Sequence, residues 1–192
     1  GIDGMDHQIQ ELLDFGFKGD GLFGHFRLPD KFVLYYRQKK AIAQIQFGGG
    51  TPTYLRPDQL QKLLNSLYER FQLQSDAEIA IEVDPRTITP ESIHEIKNIG
   101  FNRISLGIQD FDPAVQKMVN RIQPYEMVKD VVAAIRKADF PSLNFDLIYG
   151  LPGQNVSGFL QTIRKVLEFR PERIALYSFA YIPWKIKVHE KL

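Results

Sequence analysis

From residue 41 onward one pattern recurs along the chain: an apolar, β-branched run, a polar turn, then an amphipathic stretch. It predicts strands over Ala41–Phe47, Glu78–Asp84, Arg103–Gln109, Leu143–Tyr149 and Arg173–Phe179. Each carries apolar residues on both faces, as expected of a strand covered on both sides. Helices are predicted between them. Pro57–Phe71 sets Leu60, Leu63, Leu64, Leu67 and Phe71 on one face, with Pro57 in the first turn, where its missing N–H costs nothing. Thr89-Pro90-Glu91-Ser92 starts a second helix, Ile93 and Ile96 turn inward, and Gly100 stops it. Pro124–Ala138 would bury Met127, Val128, Val131, Val132 and Ile135, and Ser157–Phe169 would bury Leu160, Ile163, Val166 and Leu167. Strand–helix alternation of this kind implies parallel βαβ units with right-handed crossovers. Five strands fall short of a closed eightfold barrel, so a partial barrel or an open doubly wound sheet is expected. In both, ligands sit beyond the C-terminal ends of the strands.

Residues 1–40 read differently. Met5–Phe15 and Pro29–Lys40 have short helical patterns, the second ending in Arg37, Lys39 and Lys40. Between them Gly16, Gly19, Gly21 and Gly24 interleave with Phe15, Phe17, Phe23 and Phe26. No Gly-Lys-Ser/Thr ending and no preceding strand supports a phosphate loop, so an irregular arm is expected.

Composition narrows the function. The chain has 192 residues, 44% of them apolar, and a compact chain of this size hides roughly 70% of its unfolded surface. One domain is the expectation. With 24 basic and 23 acidic residues, no global field attracts nucleic acid or an anionic membrane. No apolar run approaches the roughly 18 residues of a membrane span, and no signal peptide opens the sequence, so a cytoplasmic setting is expected. There is no cysteine, which removes disulfides, thiol nucleophiles and thiolate-held clusters together. The histidines (His7, His25, His94, His189) have no metal-ligand spacing, and no Gly-x-Ser-x-Gly elbow is present.

The unusual residues gather at the predicted strand ends. Gly48-Gly49-Gly50-Thr51 directly follows the first strand, and glycines there let main-chain groups approach a ligand that a Cβ would repel. Glu82 and Asp84 close the second strand on one face, and ionised carboxylates accept from a hydroxyl or ammonium group. Gln109 closes the third strand with both donor and acceptor atoms. Arg121, after a short helical stretch, has the planar fork that pairs with a carboxylate. Asp146 stands among Phe145, Leu147 and Ile148, where a carboxylate without a partner is costly. Phe179-Ala180-Tyr181-Ile182-Pro183-Trp184 is an aromatic strand exit, expected to be core or interface.

Together Phe47–Leu55, Glu82-Val83-Asp84-Pro85-Arg86, Gly100–Phe111, Val119-Asn120-Arg121 and Asn144–Pro152 resemble the oxygen-independent coproporphyrinogen III oxidases, radical S-adenosylmethionine enzymes of haem biosynthesis. The resemblance covers about residues 41–190. It implies a partial (β/α)6 barrel of the radical S-adenosylmethionine type over 41–192, incomplete at its first strand and C-terminal region, with 1–40 as a separate segment. It implies S-adenosylmethionine contacts at Gly49, Gly50, Thr51, Glu82, Gln109, Arg121, Asp146 and Ala180. It further implies a [4Fe–4S] cluster on a Cys-x3-Cys-x2-Cys motif, an electron donor, and a tetrapyrrole whose two propionates are oxidatively decarboxylated to give protoporphyrinogen IX. The cysteine motif is absent from this sequence. A haem-binding relative without enzymatic activity and an inactive barrel fragment are therefore the alternatives, although Asp84-Pro85 and Gln109-Asp110-Phe111 favour the oxidase branch. A barrel without its first strand leaves the Ala41–Phe47 edge unpaired. The four phenylalanines of the N-terminal arm are expected to cover it, or two chains to associate there.

Overall fold

The computed structural model describes residues 41–180. Their elements run β1 (Ala41–Phe47), a 3-10 turn (Pro52–Tyr54), α1 (Pro57–Arg70), β2 (Gln72–Val83), α2 (Pro90–Ile99) and β3 (Arg103–Gln109). They continue with α3 (Pro113–Met118), α4 (Tyr125–Lys137), β4 (Ser142–Tyr149), α5 (Val156–Glu168) and β5 (Arg173–Ser178). The strands form one sheet in the order β1-β2-β3-β4-β5, with parallel pairing from β2 through β5. A doubly wound sheet reverses its strand order at a switch point, whereas barrel walls add strands in chain order. The fold is a partial (β/α) barrel. The expected arm over 1–40 with its phenylalanines, and the exit beyond Ala180, lie outside the described residues.

The described residues fall into two compact units, one of residues 41–43 and 56–77, the other of residues 44–55 and 78–180. In the first, α1 opens with Pro57 at its first position, and the Arg56 amide donates to Gln59 Oε1 at 2.9 Å. Leu60 and Leu64, one turn apart, are its buried residues. β2 begins at Gln72, six residues before the sequence reading placed it. Its early residues, Gln72 to Asp76, are mostly exposed and polar, so hydrophobic patterning does not mark them as strand.

In the second unit the helix boundaries follow local chemistry. Thr89 caps α2 through Ser92 N (3.3 Å), and Gly100 ends it at φ +114°, a backbone that side-chain-bearing residues avoid. α2 packs against α4, and Lys97 Nζ reaches the Asp139 carbonyl at 2.7 Å. Between α4 and β5, Arg136 holds Glu172 at 2.9 Å while Glu172 accepts from the Leu143 amide at 2.8 Å.

Two expectations about burial are corrected. The strands are not apolar on both faces. Ile79, Ile81, Val83, Ile104, Leu106, Ile108, Leu143, Phe145 and Leu147 are buried on one side. The other side carries Glu78, Glu82, Arg103, Ser105, Asn144 and Asp146, which bond across strands. Small residues at Ala80, Gly107 and Ala175 blur this alternation in the sequence. On α5 the buried residues are Thr162 and Val166, whereas Leu160 and Leu167 are 51% and 56% exposed. The helix turns Thr162 inward because its hydroxyl bonds Asp110 and the Phe111 amide, which rotates the leucines to the flank. The β5 residues Ile174 and Leu176 are exposed as well.

Candidate functional site

Seven of the eight residues singled out in the sequence lie in the second unit at or just beyond the C-terminal halves of β1 to β4, and Ala180 follows β5. Gly49 and Gly50 adopt φ of +77° and +52°, and a Cβ added to either would meet nothing within 4 Å. They line open space. Gly48 is the opposite case, since a Cβ there would stand 2.4 Å from Glu82 Oε1. That closeness seats the Glu82 carboxylate under the loop, where it accepts from Gly49 N at 3.1 Å and from Gln46 Nε2 at 3.0 Å. Thr51 stands at the start of the 3-10 turn, its carbonyl accepting from Tyr54 N at 3.0 Å. Thr53 Oγ1, two residues on, is buried with no hydrogen-bond partner among the described residues.

Asp84 and Glu82 do different work. Asp84 takes Arg86 Nη2 at 2.7 Å and Arg121 Nη1 at 3.1 Å. Burial opposes its ionisation, but the Arg86 bonds and the Arg121 charge outweigh it and hold the carboxyl below its ordinary range. Arg121 is further fixed by Gly107 O (3.1 Å) and Gln123 Oε1 (3.2 Å). Of the five N–H donors of a guanidinium, Arg121 thus commits its Nε, Nη1 and Nη2 groups to three contacts among the described residues.

Gln109 stands at the end of β3, where the pairing with β4 shifts register between Gly107 and Gln109. Its φ of +59° is a left-handed backbone that non-glycine residues seldom adopt, and its Oε1 is buried with no hydrogen-bond partner among the described residues. Asp146 accepts from Ser105 Oγ at 2.6 Å and Asn144 Nδ2 at 2.7 Å. Burial is the main cause that pushes its carboxyl up, against those two bonds and with the nearby Glu82 charge adding to the rise. Tyr177 on β5 faces the same carboxylates, and the Asp146 charge, with burial, raises its hydroxyl. Ala180 is exposed, following Phe179, whose amide donates to Tyr149 O at 2.9 Å. His94 is exposed on α2.

Sequence reasoning missed the supporting partners. Gln46, Ser105 and Asn144 are recognisable only once the strands are paired. Alternation from Glu82, Arg103 and Asp146 along their strands was the available signal.

A glycine-rich strand end, strand-end carboxylates and a sequential parallel sheet are the features of one large class of barrels. The chain belongs to the radical SAM superfamily, whose family signature matches residues 18–166. Within that class it is most informatively compared with oxygen-independent coproporphyrinogen III oxidases. It is 46% identical over 155 residues to the one from Synechocystis, 81% of this chain and 33% of that protein. To the Escherichia coli protein of the same name it is 42% identical over 151 residues, again 33% of that protein. The solved structure of the Escherichia coli coproporphyrinogen III oxidase, titled a radical SAM enzyme, matches with a TM-score of 0.73 at 41% identity, over 79% of this chain and 35% of that one. Methylornithine synthase, at 12% identity, shares the fold with a TM-score of 0.57 over 71% of this chain and 38% of that one. The chain thus spans about a third of the length of the curated relatives it matches.

Proposed function

We propose that this chain is the S-adenosylmethionine-holding wall of an oxygen-independent coproporphyrinogen III oxidase, with residues 41–192 as that wall and 1–40 as a separate segment. The substrate of the whole protein is then a tetrapyrrole whose propionates are oxidatively decarboxylated. One observation carries the reading: Gly49, Gly50, Thr51, Glu82, Gln109, Arg121 and Asp146 converge on one end of one sheet. The 46% identity to a protein of that name supports it.

S-adenosylmethionine fits these residues. Open space beside Gly49 and Gly50 admits its amino acid portion to main-chain atoms. The planar guanidinium of Arg121 suits its carboxylate. Glu82 and Asp146 accept from ammonium or ribose hydroxyl groups, and the unpartnered Gln109 Oε1 gains a donor. Given one electron from a donor that these residues do not hold, bound S-adenosylmethionine would supply a carbon radical able to abstract hydrogen from an unactivated carbon. An iron–sulfur cluster, in contrast, does not fit this chain. It contains no cysteine, and the described residues hold no group of three or more His, Asp or Glu side chains arranged for a metal.

The test is a nuclear magnetic resonance titration of the 192-residue chain with S-adenosylmethionine. The amides of Gly49, Gly50 and Thr51 should shift and saturate only near millimolar ligand, about −4 kcal/mol, since no iron anchors the methionine end. Shifts confined to other regions, no shifts, or micromolar saturation would each overturn the reading.

A further inference from the structure

We propose that Gln123 is a positioning residue that, from inside the core, fixes both the bulged end of β3 and the Arg121 guanidinium. This deepens the S-adenosylmethionine reading and rests on it. Gln123 is 0% exposed, so it cannot touch a ligand directly. A buried amide is costly unless its polar atoms are satisfied, and those of Gln123 are spent on the site. Its Nε2 donates to the carbonyls of Ile108 and, at 3.3 Å, of Gly107. Its Oε1 accepts from Arg121 Nε at 3.2 Å. The Gly107 carbonyl also takes Arg121 Nη2 at 3.1 Å. Amide, guanidinium and carbonyl thus close a triangle, and neither side chain can swing away without breaking two contacts.

The backbone of Gln123 is splinted in turn. Its N–H donates to Gln116 Oε1 and its carbonyl accepts from Gln116 Nε2, both at 3.0 Å. The same Gln116 Nε2 reaches Asp110 O at 2.9 Å, and Gln116 O accepts from Arg121 N at 2.8 Å. α3 therefore laces the Arg121 loop to the end of β3. A bulge takes backbone groups out of the ladder, and buried groups so released need other partners. Gln123 supplies one at Gly107 and Ile108, the two residues before Gln109, whose left-handed backbone (φ +59°) would otherwise relax. Asp110, 1% exposed, ties this assembly to α5 through Thr162 and to Gln154 Nε2 at 2.5 Å.

The first experiment needs no ligand. Hydrogen exchange of the Arg121 Nε–H is followed by nuclear magnetic resonance in the native chain, Gln123→Leu and Gln123→Glu, each well below its own melting temperature. Leucine removes donor and acceptor, and exchange should quicken about tenfold, the value of roughly one hydrogen bond. Glutamate keeps the acceptor and should restore protection. Native-like protection in Gln123→Leu overturns the proposal. The second experiment titrates S-adenosylmethionine into Gln123→Leu, Arg121→Ala and the double variant. Because Gln123 holds Arg121 as well as the end of β3, the loss in the double variant should fall short of the sum of the two single losses, whereas additive losses overturn the proposal. Failure of the native chain to bind S-adenosylmethionine would sink the ligand reading, while the exchange result alone decides whether Gln123 holds Arg121.

Discussion

At the scale of single residues, two neighbouring glycines make opposite predictions. Gly48→Ala puts a methyl group 2.4 Å from Glu82 Oε1, so the carboxylate must leave the Gly49 amide. The carboxylate is the end of a flexible side chain, so the expected cost is that of the hydrogen bond it gives up, about 0.5–1.5 kcal/mol, measured by urea denaturation. Gly50→Ala meets no atom but keeps a φ of +52°, and should cost about 1–2 kcal/mol through backbone strain alone. Asp146 bears on pH. Burial raises its pKa in the fold, so the stability it contributes is present below the ordinary carboxylate pKa and is lost as pH rises through the raised value. Asp146→Asn, a neutral side chain of the same shape, should therefore melt higher than the native chain at pH 7. The gap should narrow as the pH falls toward 4. Thermal melts across that range check it, and a constant gap would contradict the assignment of burial as the cause.

At the scale of elements, the strands and helices were legible where one face repeats cleanly. Ala41–Phe47 and Arg103–Gln109 match their predicted bounds, and Thr89 and Gly100 delimit α2 as their chemistry requires. Polarity hid the start of β2, and small residues hid the polar face of the sheet. The candidate residues at the strand mouth were legible because glycines and carboxylates interrupt apolar runs there. Their supports were not, because Gln123 and Thr162 read as ordinary loop and helix positions until folding buries them. Thr162 shows the consequence. Its hydroxyl donates to Asp110 and accepts from the Phe111 amide at 3.1 Å. Thr162→Val keeps the shape and deletes both bonds, leaving buried groups unpaired at a cost of about 1–3 kcal/mol. Urea denaturation of that variant tests it, and an unchanged midpoint would show that Asp110 finds another partner.

At the scale of the whole molecule, acid should act through paired carboxylates. Asp84 is held below its ordinary range, burial notwithstanding, by Arg86 and Arg121. Glu172 is likewise held low, against burial, by the Leu143 amide and Arg136. For depressed pKa values the stability is present above the unfolded value and lost as pH falls through the folded one. The chain should thus hold its melting temperature down to about pH 4 and lose it steeply below. Arg136→Gln should soften the part of that slope due to Glu172. Among the described residues no helix is long and apolar enough to cross a membrane.

The division of the sheet into an apolar and a polar face separates two kinds of inheritance. Ile81, Ile104, Leu106 and Phe145 are fully buried, and a lineage that alters them forfeits its scaffold. Across the same strands, Glu82, Ser105 and Asp146 answer to one another and to whatever enters the mouth. Because successive side chains point to opposite faces, replacing one set leaves the other in register. Evolution can therefore rewrite the reactive lining of such a wall one residue at a time while its foundations stay intact.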